Sequence, residues 1–177
     1  MHVYLRRQSA EPSRSTRDRT IADLVLDDVL LHTYLGLVTI LSGPDLCHCF
    51  AQRRSARALS RLYDRHLAAA GLNASQFTIL SILERHPGVK IADLAKIMVM
   101  ERTTLVRALK PLQAAGFIGS ETGEHGALRL SASAAGLKKI ADATPHWKRA
   151  QAEFEAAFGS DRAARLREDA LAAAAAH

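Results

Sequence analysis

Residues 100–118, MERTTLVRALKPLQAAGFI, carry an apolar stripe at helical spacing that stops at a glycine, after which the pattern changes period at once. On a helix, Leu105, Leu109, Leu112 and Gly116 fall along one side, while Thr103, Arg107 and Lys110 lie close to the opposite direction. FIGSET and ALRLS then follow as short strand-like runs separated by GEHG, a turn with glycine at both ends, which is the pattern of a β-hairpin. A helix that runs directly into a hairpin leaves few folds to choose from.

The flanks narrow the choice further. NASQFTILSILERHPG predicts a helix capped by Asn73 or Ser75 and ended by Pro87 and Gly88, and IADLAKIM predicts another before the one already described. Two short helices, a third helix and a hairpin, in that order, make a winged helix-turn-helix. Before them a long helix is predicted from about Leu46 to Ala70, stopped by Gly71, with no proline inside. After them Ser133 caps a helix that runs to about Phe158, bent near Pro145, and SDRAARLREDALAAAAAH forms one more helix beyond Gly159. The expected class is mainly α with a small β-hairpin: a winged helix-turn-helix flanked by dimerisation helices, since the apolar faces of residues 46–70 and of the helix after the hairpin exceed what a lobe of about 60 residues can cover and a partner chain should bury them. The boundaries are an N-terminal extension at 1–45, a first dimerisation helix at 46–72, the winged lobe at 73–131 and C-terminal dimerisation helices at 132–177.

The extension differs in character from the rest. MHVYLRRQSAEPSRSTRDRT is polar and arginine-rich, has no apolar run or small-residue cleavage site, and reads as disordered rather than as a secretory signal. IADLVLDDVLLHTYLGLVTIL is apolar, but Asp23, Asp27, Asp28 and His32 interrupt it well short of the ~20 clean residues a membrane span needs. It reads as a packed or partner-binding helix, with no membrane partner. The chain has 177 residues, 48% of them hydrophobic, which is ample for a core. Its only cysteines, Cys47 and Cys49, are too close in sequence for a good mutual disulfide within a helix, so the expected compartment is the reducing cytoplasm. With His48 they do not converge on one ion, and no second pair lies nearby, so neither a metal nor any other cofactor is expected. There is no nucleophile elbow, P-loop, dinucleotide fingerprint or paired-carboxylate motif to carry an enzyme.

A formal charge of +6 suits a polyanionic partner, and the placement of the charge decides which. Arg102, Thr103 and Thr104 open the third helix, where side-chain donors and free backbone N–H groups occur together; Arg107 and Lys110 continue the same face. Such a face suits phosphates and base edges in a DNA major groove. On the first long helix Arg53, Arg57, Arg61 and Arg65 form one edge. That edge fits either an anion-binding surface or a solvated face making intersubunit salt bridges with Asp64 and Glu84.

From about Leu46 to the C-terminus the order resembles the MarR family of dimeric winged-helix transcription regulators. The likeness is strongest at ARALSRLYDRHLAAAGLNASQFTIL and ERTTLVRALKPLQAAGFI, where the long first helix, GLNASQF, the RTT of the recognition helix, AAGFI and the wing fall in register. The resemblance implies a cytoplasmic homodimer whose first and last helices intertwine and whose two recognition helices read a pseudo-palindromic double-stranded operator. It also implies repression relieved by a small aromatic or phenolic effector, bound between the dimerisation helices and the DNA-binding lobe.

Four departures from the family pattern matter. Val99 stands where a turn glycine is usual and Glu101 where an aspartate caps the recognition helix; the first is less tolerant of a left-handed backbone and the second is a weaker cap. Val106 replaces a hydroxyl residue. In the wing, Glu124, His125 and Gly126 stand at the usual Asp-x-Arg, with Arg129 farther back, so His125 and Arg129 are the wing's candidate contacts.

Cys49 and Phe50 fall where the organic-peroxide-sensing branch of the family carries its reactive cysteine; Tyr63 falls on a partner tyrosine, and Arg53 replaces a second one. Cys49 and Tyr63 lie ~21 Å apart along one helix, so on this likeness they would meet across a dimer. Cys47, Cys49, Arg53 and Tyr63 are therefore redox or effector candidates. The alternatives to effector release are the same scaffold gated by oxidation of Cys49, and a winged-helix module for protein assembly that does not bind DNA.

Overall fold

A computed structural model describes residues 43–123 and 127–176. The chain divides into two units, Met1–Arg53 and Arg54–His177. Of the first, the described part is a 3-10 turn, Gly43–Leu46, and the opening residues of helix α1, His48–Leu67. The stretch over residues 1–20 that reads as disordered and the helix expected after it lie outside the described residues, as does His125. The long first helix begins at His48 rather than Leu46 and finishes as a 3-10 turn over Ala68–Ala70 before Gly71.

The second unit holds α2 (Ala74–Arg85), β1 (Val89–Lys90), α3 (Ile91–Ile97), α4 (Arg102–Ala114), β2 (Ile118–Thr122), β3 (Leu128–Ala132), α5 (Ala134–Phe158) and α6 (Ser160–Ala175). Asn73 caps α2 in a reciprocal box: its side chain accepts from Gln76 N at 2.9 Å, and the Gln76 side chain accepts from Asn73 N at 3.0 Å. Asp64 of α1 adds a cap from outside, accepting from Ala74 N at 2.7 Å.

The expected hairpin forms, with Ile118 opposite Ala132 and Thr122 opposite Leu128. A third strand extends it, because β1 pairs antiparallel with β3 and gives the order β1-β3-β2. Leu80 and Leu83 of α2, Leu94 of α3, Leu105 of α4 and Leu130 of β3 are fully buried at the centre, so helices and sheet share one core.

Leu105, Leu109 and Leu112 of α4 are buried, as their spacing predicts. Gly116 is not part of that stripe. It lies past the helix end with φ +71°, exposed, where Gly116 N donates to Gln113 O and Phe117 N to Leu112 O, each at 2.9 Å. These two bonds are the Schellman pattern that ends a helix. Ser133 then joins two elements, donating through Oγ to Gly116 O at 2.6 Å while accepting from Gly136 N at 3.1 Å to cap α5. Gly136 has no room for a side chain, because a Cβ there would run into the carbonyl of Phe117.

Candidate nucleic-acid interface

The donor face of α4 follows from the way its other side is held. Burial of Leu105, Leu109 and Leu112 fixes the rotation of the helix, and Arg102, Thr103, Thr104, Arg107 and Lys110 are consequently all exposed. Val106 lies in the same face and is 38% exposed, an apolar group among donors. Glu101 occupies the N-cap position with extended backbone, but its side chain makes no capping bond. The amides of the first turn of α4 are thus left for an outside acceptor, next to the hydroxyls of Thr103 and Thr104.

The turn ahead of α4 confirms the consequence expected at Val99. Its φ is +49°, left-handed, and its side chain is 73% exposed. Val99 N donates to Lys96 O at 3.1 Å and Met100 N to Ala95 O at 2.9 Å. This is the same termination as at Gly116, built on a β-branched residue, which pays for the left-handed backbone with steric strain.

The wing candidate Arg129 sits on the sheet face opposite buried Leu130, level with Lys90 on one side and Glu121 on the other. It is exposed, and its Nη1 donates to the carbonyl of Gly88 at 3.2 Å. Its side chain folds over Gly123, where a Cβ would lie 2.7 Å from Nε. Arg129 is therefore held along the sheet. Between the base of the wing and the start of α4 lies a groove of about 230 Å³ lined by Lys90, Ile91, Ala92, Arg102, Ala127 and Leu128. Lys90 was not among the residues that the sequence pointed to: a two-residue strand carries no periodicity, and its place opposite Arg129 arises only from pairing with a strand far along the chain.

The redox and effector candidates are dispersed. Cys47 and Cys49 are exposed free thiols, and Arg53 is exposed on α1. Tyr63 is half-buried and donates its hydroxyl to Oε1 of Gln151 on α5. Burial, and secondarily the Glu155 carboxylate, raise its pKa above the ordinary 10.0 against the opposing pull of Arg167, so the phenol stays a donor at neutral pH. Next to it Arg65 Nη2 donates to Glu153 Oε1 at 2.8 Å, and His66 Nε2 lies 2.7 Å from Glu153 Oε2.

Two further cavities lie among the described residues. One, of about 360 Å³, opens between α2 and α5, where Phe77 and Trp147 stack with centroids 6.1 Å apart beside Thr78, Ser81, Glu84, Arg85, Ile140 and Thr144. Trp147 is thereby covered in part by its own lobe. The other, of about 320 Å³, is an apolar groove of α1, α5 and α6 lined by Ser55, Ala58, Leu59, Leu62, Phe154, Phe158 and Leu166. Among the described residues no helix is long and apolar enough to cross a membrane.

The sequence profile of the MarR family matches residues 72–124, from just before α2 into the wing. Comparison with the curated proteins gives no match. Among solved structures, the M. tuberculosis transcriptional regulator MosR in complex with DNA is 32% identical, over 73% of this chain and 95% of its own, with a TM-score of 0.67. CouR from Rhodococcus jostii RHA1, bound to p-coumaroyl-CoA, is 15% identical over 75% of this chain and 95% of its own, with a TM-score of 0.62. The oxidised form of MarR from E. coli is 18% identical over 70% and 90%, with a TM-score of 0.60. The last two matches show a shared fold, and the first adds a sequence likeness across most of both chains. Helix order, wing, exposed donor helix and this likeness agree, and the chain belongs to the MarR family of DNA-binding transcription regulators, which are not enzymes.

Proposed function

We propose that the protein is a cytoplasmic homodimeric repressor that binds a pseudo-palindromic operator through two copies of α4 and is released by a small aromatic effector. The observation that carries this reading is the donor face of α4, fixed outward by three buried leucines and preceded by a helix start with no side-chain cap. The apolar groove of α1, α5 and α6 offers a second copy a surface to cover, since Phe154, Phe158 and Leu59 remain partly exposed in one chain. The Phe77–Trp147 cavity suits a planar ring, with the Arg85 guanidinium at its rim for an acid group. MosR bound to DNA and CouR bound to p-coumaroyl-CoA, as their structures are described, support the two halves of the reading. Selection of random genomic fragments by the purified protein tests it. A repressor enriches a pseudo-palindrome whose binding an aromatic acid weakens, whereas a pure assembly module enriches no motif.

A second reading, gating by oxidation, draws on the exposure of both thiols and on the existence of an oxidised form of E. coli MarR. Treatment with an organic hydroperoxide, followed by thiol mass spectrometry and operator affinity, decides it. The reading requires oxidation of Cys49 together with a loss of binding that Cys49→Ser abolishes.

A further inference from the structure

We infer that the groove between the wing and the start of α4 seats a phosphate of the DNA backbone, with Lys90 as a contact additional to those on the recognition helix; this rests on the DNA-binding reading above. The six residues lining the groove include two cations, Lys90 and Arg102, and no carboxylate. Neither cation has an ion-pair partner among the described residues. The nearest acids in sequence, Asp93 on α3 and Glu101 at the N-cap of α4, are not among the lining residues.

The remaining walls, Ile91, Ala92, Ala127 and Leu128, are apolar and suit the deoxyribose that flanks a phosphate. The groove is continuous with the donor face because Arg102 belongs to both. Lys90 stands directly opposite Arg129 in the register of the sheet. Arg129 is the wing's own described cation, and its guanidinium is already engaged by the Gly88 carbonyl. Beside Arg102, Lys90 therefore offers a second cation without an ion-pair partner among the described residues, and a point charge on a flexible stem suits a phosphate rather than a base edge.

The test measures binding by fluorescence anisotropy over a salt series, with two probes: the duplex recovered by genomic selection and a short duplex of arbitrary sequence. Lys90→Ala is expected to weaken both by a similar factor and to flatten the slope of log K against log salt by about 1.8, the value of two lost phosphate contacts, one from each subunit of the dimer. Lys90→Arg is expected to restore the slope. Thermal melting should be unchanged, since the Lys90 side chain is exposed. An unaltered slope in Lys90→Ala, with the parent binding normally, overturns the phosphate seat alone. Failure of the parent to bind either duplex overturns the DNA-binding reading and this inference with it.

Discussion

Met100 N donates to the carbonyl of Ala95 at 2.9 Å across a Val99 whose φ is +49°, so a helix termination normally built on glycine is built here on valine. A left-handed backbone costs a residue bearing a Cβ roughly 1–2 kcal/mol, and the 73% exposure of Val99 returns little in packing. Val99→Gly is therefore expected to raise stability by about 0.5–1 kcal/mol after the larger chain entropy of glycine is subtracted. Thermal unfolding should show a midpoint higher by a few degrees; a lower midpoint would mean that the valine side chain holds something in place.

Gly136 makes the opposite case. The carbonyl of Phe117 fills the space of a Cβ, with its carbon only 3.1 Å away, and neither group is the end of a flexible side chain. Gly136→Ala is expected to destabilise by about 2 kcal/mol, within the usual range for overpacking. Urea denaturation gives the comparison directly, and an unchanged midpoint would show that α5 can shift away from Phe117 at no cost.

Arg107→Ala and Lys110→Ala should both fold as the parent does, because both side chains are exposed and point away from the leucine stripe. Operator affinity should fall by ~1–3 kcal/mol for a residue that reads a base, and by less with a shallower salt slope for one that touches phosphate. Two variants that bind as tightly as the parent at moderate salt would remove α4 from the recognition role.

Glu153 sets a pH dependence. The hydrogen bond from His66, and then the charge of Arg65, hold its carboxyl below the ordinary 4.5. A carboxylate whose pKa falls on folding contributes stability that is present above its unfolded pKa and lost as pH drops through the folded one. Parent and Glu153→Gln should thus differ most near neutral pH and converge below about pH 4.5. The expected difference is small, since the group is open to water. A gap that stays constant into acid would assign the effect to packing.

Dimerisation is checked by sedimentation. Burial of Leu59, Phe154 and Phe158 by a second copy predicts a dimer at micromolar concentration, and Leu59→Glu should shift it toward monomer by placing an unpaired charge in the groove. A parent that sediments as a monomer contradicts the assignment of that face.

Local signals made most of this fold legible. The leucine spacing of α4, the Asn73 box and the glycine-flanked hairpin all act within a few residues, and the structure follows each. The valine turn and the missing side-chain cap at Glu101 were also readable, because backbone sterics and cap chemistry are local. Long-range partners were not. Asp64 reaching Ala74 N, Arg65 meeting Glu153, and Lys90 aligned with Arg129 depend on how elements pack, and no spacing along the chain encodes them. Gly116 stops the helix as its residue type suggested, but it was wrongly placed in the stripe: it continues the helical period yet stands beyond the helix end, where period has no meaning.

The contact between Gly136 and Phe117 is one of peptide group against peptide group. Side chains absorb displacement by changing rotamer, but a backbone wedged against a backbone does not. Phe117 N is tied to Leu112 O of α4, and Ser133 Oγ to Gly116 O, so the joint between α5 and the end of α4 lacks a compliant layer. The 25-residue helix α5 and the recognition helix behave there as arms of one lever. A displacement at the start of α5 therefore meets no side-chain rotamer that could absorb it before it reaches the end of α4.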